Sequence, residues 1–433
     1  MSWADLPAIA QDVLVLIGCL AVPLTLTIVL VQGFRPLPLV TALIRRHWAV
    51  SLTFTALIAV GVAVGTALLS SERGLREASA RATDPFDVVV AAPGSEVTAL
   101  LASIFLRPSD VALLDPTVTN AVLDDPRAAL AAPVGFGDSV DGAPVIGTVA
   151  ALPEHLASAI DGRMWTGPFE AIVGADLAYP LGSTVEPVHG HGSFIEENGS
   201  HGQPLTIVGR MMRTGTPWDG AVLMPIEGVW ALHGMTDGRS FGADMRLGPP
   251  YDPTLAPGVP AVLVRADTIG GAYSLRSAFQ RDGASMAFLP GAQLAQLHAL
   301  LGDAREALSV MILVALGLVS VAVLCGLVIV AQLFRRQLAL LAALGAPRRF
   351  TLAVLWLHAM AHLATGALAG LVLGWLAAVP VSRIVSVRTG LSVTAPPGTP
   401  EALTVVAFVA LASLAGLLTA VLAGGSEPAK DLR

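Results

Sequence analysis

Long apolar stretches alternate along the chain with regions of mixed character. Five stretches run about twenty residues or more without a charge: Val13–Val31, Trp48–Ser71, Ala307–Phe334, Leu352–Val379 and Ala402–Leu422. A hydrocarbon core about 30 Å thick takes about twenty residues of helix, so each stretch predicts a transmembrane helix. All five are rich in Leu, Val and Ala with Gly interspersed, and small residues let such helices approach closely. Between the second and third stretches the pattern changes. Residues 72–303 hold no spanning run, but short β-rich pieces ("FDVVVAA", "EAIVGADLA", "PLTIVGRM", "GAVLMPI", "AVLVRA"), a helical piece at Gly291–Leu301 and frequent Pro and Gly. Strands and helices mixed with turn signals predict an α+β domain. At this length it can bury its own core.

Composition agrees with the pattern. Of 433 residues 54% are hydrophobic and 13% charged, against about a quarter charged in soluble domains. The mean hydropathy is +0.71. A net charge of −7 argues against a nucleic-acid partner. Lys430 is the only lysine. A phosphate-binding GxxxxGK[ST] loop needs its lysine within a folded domain, so this chain has no such loop. The two cysteines, Cys19 and Cys325, lie inside apolar runs and behave there as small hydrophobes. No disulfide framework is read.

Charge orients the helices, because cytoplasmic flanks collect Arg and Lys. Arg45 and Arg46 precede the second run, four arginines separate the third from the fourth, and Lys430 and Arg433 follow the fifth. Placing all three groups inside puts residues 72–303 outside. Arg73, Arg76 and Arg81 then fall on the outer side, balanced in part by Glu72 and Glu77.

The stretch "FRRQLALLAALGAPRRF", Phe334–Phe350, lies between the third and fourth runs. Ala and Leu are strong helix formers, Gly345 is placed to end a helix, and Pro347 blocks its continuation. At about ten residues the helix is too short to span. Leu338, Leu341 and Leu344 share a face, flanked by Arg335, Arg336, Arg348 and Arg349. One reading is an interfacial hairpin with arginines at the headgroups. The other is a cytoplasmic element facing a partner.

This stretch resembles the "RR.EI.LLRALGA..R" signature of the FtsX/MacB-like ABC permease family. "LIRRHWAVSLTFTALIAVGVAVGTALL" is similar to that family's basic lead-in and first core span. "GRMWTGPFEAIVGADLAYPLGSTV" followed by "PLTIVGRMMRTGTPWDGAVLMPIEGVW" is similar to its extracytoplasmic core, and "EPAKDLR" to its tail. The resemblance covers about Leu43 to Arg433. It implies an α-helical integral membrane protein of the bacterial inner membrane: a four-helix permease core plus an additional N-terminal apolar helix, with a large α+β extracytoplasmic domain between the second and third apolar helices. The division is 1–34 additional helix, 35–71 lead-in and first core helix, 72–303 outer domain, 304–334 second core helix, 335–349 coupling helix, 350–382 third core helix, 383–401 outer loop, and 402–433 fourth core helix and tail. The additional helix either spans or lies along the membrane; its length and flanks favour spanning.

The family's logic implies no enzyme activity and no cofactor in this chain. ATP and Mg would belong to a separate ABC ATPase subunit, present in two copies. Other implied partners are a second copy of this chain, membrane lipid, and a periplasmic protein or lipoprotein. The implied function is to couple ATP hydrolysis to movement of the outer domain. Arg335, Arg336, Leu338, Leu341, Leu344, Gly345, Arg348 and Arg349 would make the ATPase coupling element. The alternative from another class is a stand-alone membrane sensor or adaptor whose outer domain binds a ligand or metal.

Two histidine groups carry candidate chemistry. "VEPVHGHGSFIEENGSHGQP" holds His189, His191 and His201 near Glu186, Glu196 and Glu197. Imidazole with carboxylate is a zinc set, and a solvated hairpin is the plainer account, since no CxxC or HExxH accompanies it. His358 and His362 lie four apart, on one face of the fourth span. Interhelical hydrogen bonding accounts for them, with a proton or metal path as the sharper reading. In "GFGDSVDGAP", Asp138 and Asp141 read as turn formers.

Overall fold

The computed structural model describes residues 6–107, 111–190, 202–239, 246–281, 283–300 and 344–423, with scattered helical positions between 306 and 341. The chain divides into a helical unit, Met1–Gly74, Asp303–Ile384 and Thr394–Arg433, and an α+β unit, Leu75–Gly302 with Val385–Val393.

Among the described residues of the helical unit, four helices are long and apolar enough to cross a membrane. They are α1 (Ala8–Val31), α3 (Trp48–Thr83), α10 (Arg348–Thr389) and α11 (Thr399–Ala423); α2 (Leu37–Arg46) is the short basic lead-in between the first two. The expected span at Ala307–Phe334 lies for the most part outside the described residues. The other expected boundaries need correction. α3 continues twelve residues beyond Ser71, and α10 begins at Arg348 and continues to Thr389, so residues 383–389 are helix and not loop. Arg348 and Arg349, assigned above to the coupling helix, form the first turn of α10. Apolar periodicity ends where the charge begins, but helical hydrogen bonding does not.

The packing of α3 on α10 rests on glycine. A Cβ at Gly366 would meet Ile58 at 2.8 Å, one at Gly370 would meet the Ala59 carbonyl at 2.6 Å, and one at Gly374 would meet Thr66 at 2.5 Å. Spaced by four, these glycines form a groove that admits the α3 backbone. Ile58, Val62, Leu363, Ala367, Phe408 and Ala412 form the core around this seam. α1 lies lengthwise in the unit. Asp12, near its start, accepts a hydrogen bond from Thr399 at the head of α11, while Thr27 and the Val29 carbonyl, near its end, accept from Trp356 and Arg349 of α10.

The α+β unit is built on one mixed sheet in the order β11-β1-β10-β2-β3-β9-β5-β8-β4, with β6 added to β8 and β7 to β2. The strands are β1 (Val88–Ala91), β2 (Ala128–Val140), β3 (Ala143–Thr148), β4 (Ile160–Gly162), β5 (Glu170–Val173), β6 (Thr184–Val185), β7 (Val188–His189), β8 (Leu205–Met211), β9 (Val222–Pro225), β10 (Ala261–Ala266) and β11 (Met286–Phe288). All five β-rich pieces read in the sequence contribute strands, and the helical piece forms α9 (Pro290–Leu300). β1 and β10 are buried on both faces. Val88, Val90, Val262 and Val264 pack toward α5 (Pro116–Leu123) and α8 (Ile269–Phe279). Val89, Ala91, Ala261 and Leu263 pack toward α4 (Glu96–Ser103) and the last turns of α3. Burial on both faces explains why these strands read as continuous apolar runs without alternation.

The longest strand, β2, was not anticipated. Pro133, Gly135 and Gly137 interrupt its apolar pattern, so the segment reads as a glycine-rich turn. The turn itself is only Asp141-Gly142, with φ of 49° and 84°, the two-residue connection that a twisted β2–β3 hairpin prefers. Asp141 is thus a turn former. Asp138 is not: it lies within β2 and its side chain is buried.

Candidate functional site

Three sequence-predicted groups find different places. Of the coupling element, Arg335, Arg336 and Leu338 lie outside the described residues. Its end is well defined. Gly345 has φ of 93°, and the Ala346 amide donates to the Leu341 carbonyl at 3.0 Å. This bond to the carbonyl five residues back, with glycine at the left-handed position, is the Schellman closure of a helix. Leu344 is 85% exposed at this end. Arg349 donates to the Val29 carbonyl of α1 at 2.9 Å, so one of the arginines grouped above as steering a partner is bound within the helical unit.

His358 and His362 are both buried. Their Nε2 atoms are 3.2 Å apart, and His362 Nδ1 is 3.0 Å from Thr55 Oγ1 of α3. The His362–Thr55 contact joins α10 to α3, as interhelical hydrogen bonding asks. On the outward-charge question, Arg73 of α3 meets Glu401 of α11 at 3.0 Å, with Ser70 donating to the same carboxylate at 3.1 Å. That arginine is answered at short range by an acid the sequence pattern does not bring near it.

The expected trio His189, His191 and His201 is not the group assembled among the described residues, since His191 and His201 lie outside them. His189 instead meets Asp138 and His233. Three elements place these side chains. β2 changes register between Phe136 and Asp138, and the shift sets Asp138 opposite His189 of β7. Bulges of this kind re-aim side chains. β7 is tied down by the Gly190 amide on the Gly137 carbonyl and by the Ser139 hydroxyl on the Gly190 carbonyl, at 2.9 and 2.6 Å. His233 caps α7 (Ile226–Leu232). That helix sits close to the sheet because Gly147 has no side chain: a Cβ there would meet Val229 at 2.6 Å.

The three ring and carboxylate groups converge on one oxygen. Asp138 Oδ1 is 3.1 Å from His189 Nδ1 and 3.6 Å from His233 Nε2. The Asp138 side chain is 1% exposed, against 46% for His189 and 23% for His233, so the carboxylate is the floor and the imidazoles the rim. His233 Nδ1 lies 2.9 Å from the Val229 carbonyl. A carbonyl only accepts, so this nitrogen carries the proton, and in the neutral ring Nε2 turns a lone pair toward Asp138. The signal that sequence reasoning missed was His233 at the end of "IEGVWALHG", a polar residue just ahead of a terminating glycine.

No family model matches the chain, and no curated protein matches it. Among solved structures it is similar to the periplasmic region of MacB from Actinobacillus actinomycetemcomitans, with TM-score 0.31 and 9% identity over 50% of this chain and 95% of that one. It is also similar to the extracellular domain of the noncanonic ABC-type transporter YknZ from Gram-positive bacteria, with TM-score 0.27 and 12% identity over 47% of this chain and 98% of that one.

Proposed function

We propose that this chain is the membrane subunit of an ABC-type assembly, in which a separate ATPase subunit binds ATP and Mg and this chain turns that cycle into movement of an outer domain. Two copies of each would make the assembly, set in lipid, and a periplasmic protein or lipoprotein would receive the movement. The observation that carries the reading is the helix end at Leu340–Gly345, closed by the Ala346 amide on the Leu341 carbonyl. It leaves Leu344 exposed immediately before a helix long enough to span. Among the described residues little covers Leu344, and a docked partner would. Two spanning helices also contribute residues to both units: α3 ends among the core residues Ala78 and Ala82, and α10 includes Val385.

A partner groove concentrates its energy in a few buried anchors, each worth more than about 1–2 kcal/mol. Leu344→Asp adds a desolvated charge to that loss. The wild-type protein should co-purify with a stoichiometric ATPase chain, and Leu344→Asp or Leu341→Asp should reduce that association at least about tenfold while membrane yield stays unchanged. A variant that inserts normally and still carries a fully stimulated ATPase would end the proposal. A wild-type protein that never carries an ATPase would favour a stand-alone sensor.

A further inference from the structure

We infer that Asp138, His189 and His233 form a binding site for a divalent transition metal of the zinc class in the α+β unit. The distances fit. A zinc ion with bonds of about 2.0–2.1 Å to nitrogen and oxygen in a tetrahedron has ligand–ligand edges of about 3.3–3.4 Å. The two edges that meet at Asp138 Oδ1 are 3.1 and 3.6 Å, and all three ligand atoms lie within 4.8 Å of one another.

The hydrogen bonding points the same way. Metal-bound imidazoles commonly donate their second N–H to a backbone carbonyl, which fixes the tautomer and aims the other nitrogen at the ion. His233 does this through Val229 at 2.9 Å. With Nδ1 committed, neutral His233 sets an Nε2 lone pair against a carboxylate oxygen. Two acceptors face each other when a cation lies between them, or when the ring or the carboxyl takes a proton. A metal meets both histidines and the acid at once, and the ligand-atom geometry is what favours it here. Imidazole with carboxylate selects zinc and its neighbours over magnesium or calcium.

The ion would fasten β7 and the end of α7 to the bulge of β2, joining three elements through a single group. The site stands on the α+β unit alone and does not depend on an ATPase partner.

The test uses the purified full-length protein in detergent, stripped of metal and titrated with zinc against a chromophoric chelator. One tight equivalent is expected. His233→Ala and Asp138→Asn should each weaken it at least 100-fold, while the double replacement His191→Ala/His201→Ala should leave it within several-fold. Because Asp138→Asn places a new amide in a buried position, a second measurement uses the unaltered protein. Carbethoxylation of His189 and His233, read by mass spectrometry, should fall at least tenfold in zinc and remain unchanged in magnesium. Absence of a tight equivalent, uptake that survives His233→Ala, or uptake lost in His191→Ala/His201→Ala overturns the assignment. Modification of both rings unaffected by zinc does so too, and leaves a protonated His233 paired with Asp138.

Discussion

Glu170 shows how much one carboxylate organises at the edge of the sheet. It accepts from the Arg163 guanidinium, from the Thr166 amide at 2.7 Å and hydroxyl at 3.2 Å, and from the Gly167 amide at 3.2 Å. The guanidinium, with the two amides behind it, holds the pKa down at about 2 against the opposing effect of burial. A carboxylate depressed below its unfolded value near 4.5 contributes stability above that pH and loses it as pH falls toward 2. Arg163 is half exposed, so solvent screens the pair and the contribution is well below what the shift alone implies. Glu170→Gln should therefore lower the melting temperature at pH 7, and the gap from wild type should narrow steadily between pH 5 and pH 2. A gap that stays constant over this range would place the loss in packing and not in charge.

Among the elements, the α3–α10 seam is the sharpest constraint. Gly370→Val puts methyl groups where the Ala59 carbonyl and Val62 already lie, each at 2.6 Å from the added Cβ. Neither neighbour is the free end of a flexible side chain, so the helices must separate. Overpacking of this kind costs about 1–3 kcal/mol, and at a glycine groove it also removes the close backbone contact that holds the pair. The variant should show a lower melting temperature in detergent and faster proteolysis. Gly18→Val, at a position with open space around the added atom, is the control and should resemble wild type. Equal behaviour of the two variants would remove the seam from the account of the bundle.

For the chain as a unit, the prediction concerns sidedness. The arginines that precede α3 and those at the head of α10 belong inside by the charge rule, and the α+β unit then lies outside. Arg73, the apparent exception, is paired with Glu401. A lengthwise α1, tied at one end to the head of α11 and at the other to the head of α10, supports a crossing helix over one lying along the surface. A reporter fused after Arg433 should report cytoplasm, one inserted near Gly199 should report the outside, and a cysteine at position 2 should be labelled from outside. A cytoplasmic signal near Gly199 would overturn the orientation. An inside label at position 2 would overturn the crossing of α1 alone.

Local order was legible without coordinates because it is decided locally. Twenty apolar residues in a row specify a helix long enough to span, as four of the five runs show among the described residues, and five short apolar runs became strands of the α+β unit. Gly345 and Pro347 announced a helix end that the Ala346–Leu341 bond completes within six residues. Strand ends and helix overruns were less legible, since α3 and α10 continue as helix through charged residues once hydrogen bonding is established. The histidines mark the other limit. His189 stood out because it lies in a histidine-rich loop, but its partners are a buried acid on a bulged strand and a ring capping a helix. Asp138 carries no local signal of its role, and His233 only that of a polar residue just ahead of the glycine that ends α7. Their meeting depends on the register of β2 against β3 and β7 and on the close seat of α7 that Gly147 permits, and such long-range choices are settled only when the sheet closes.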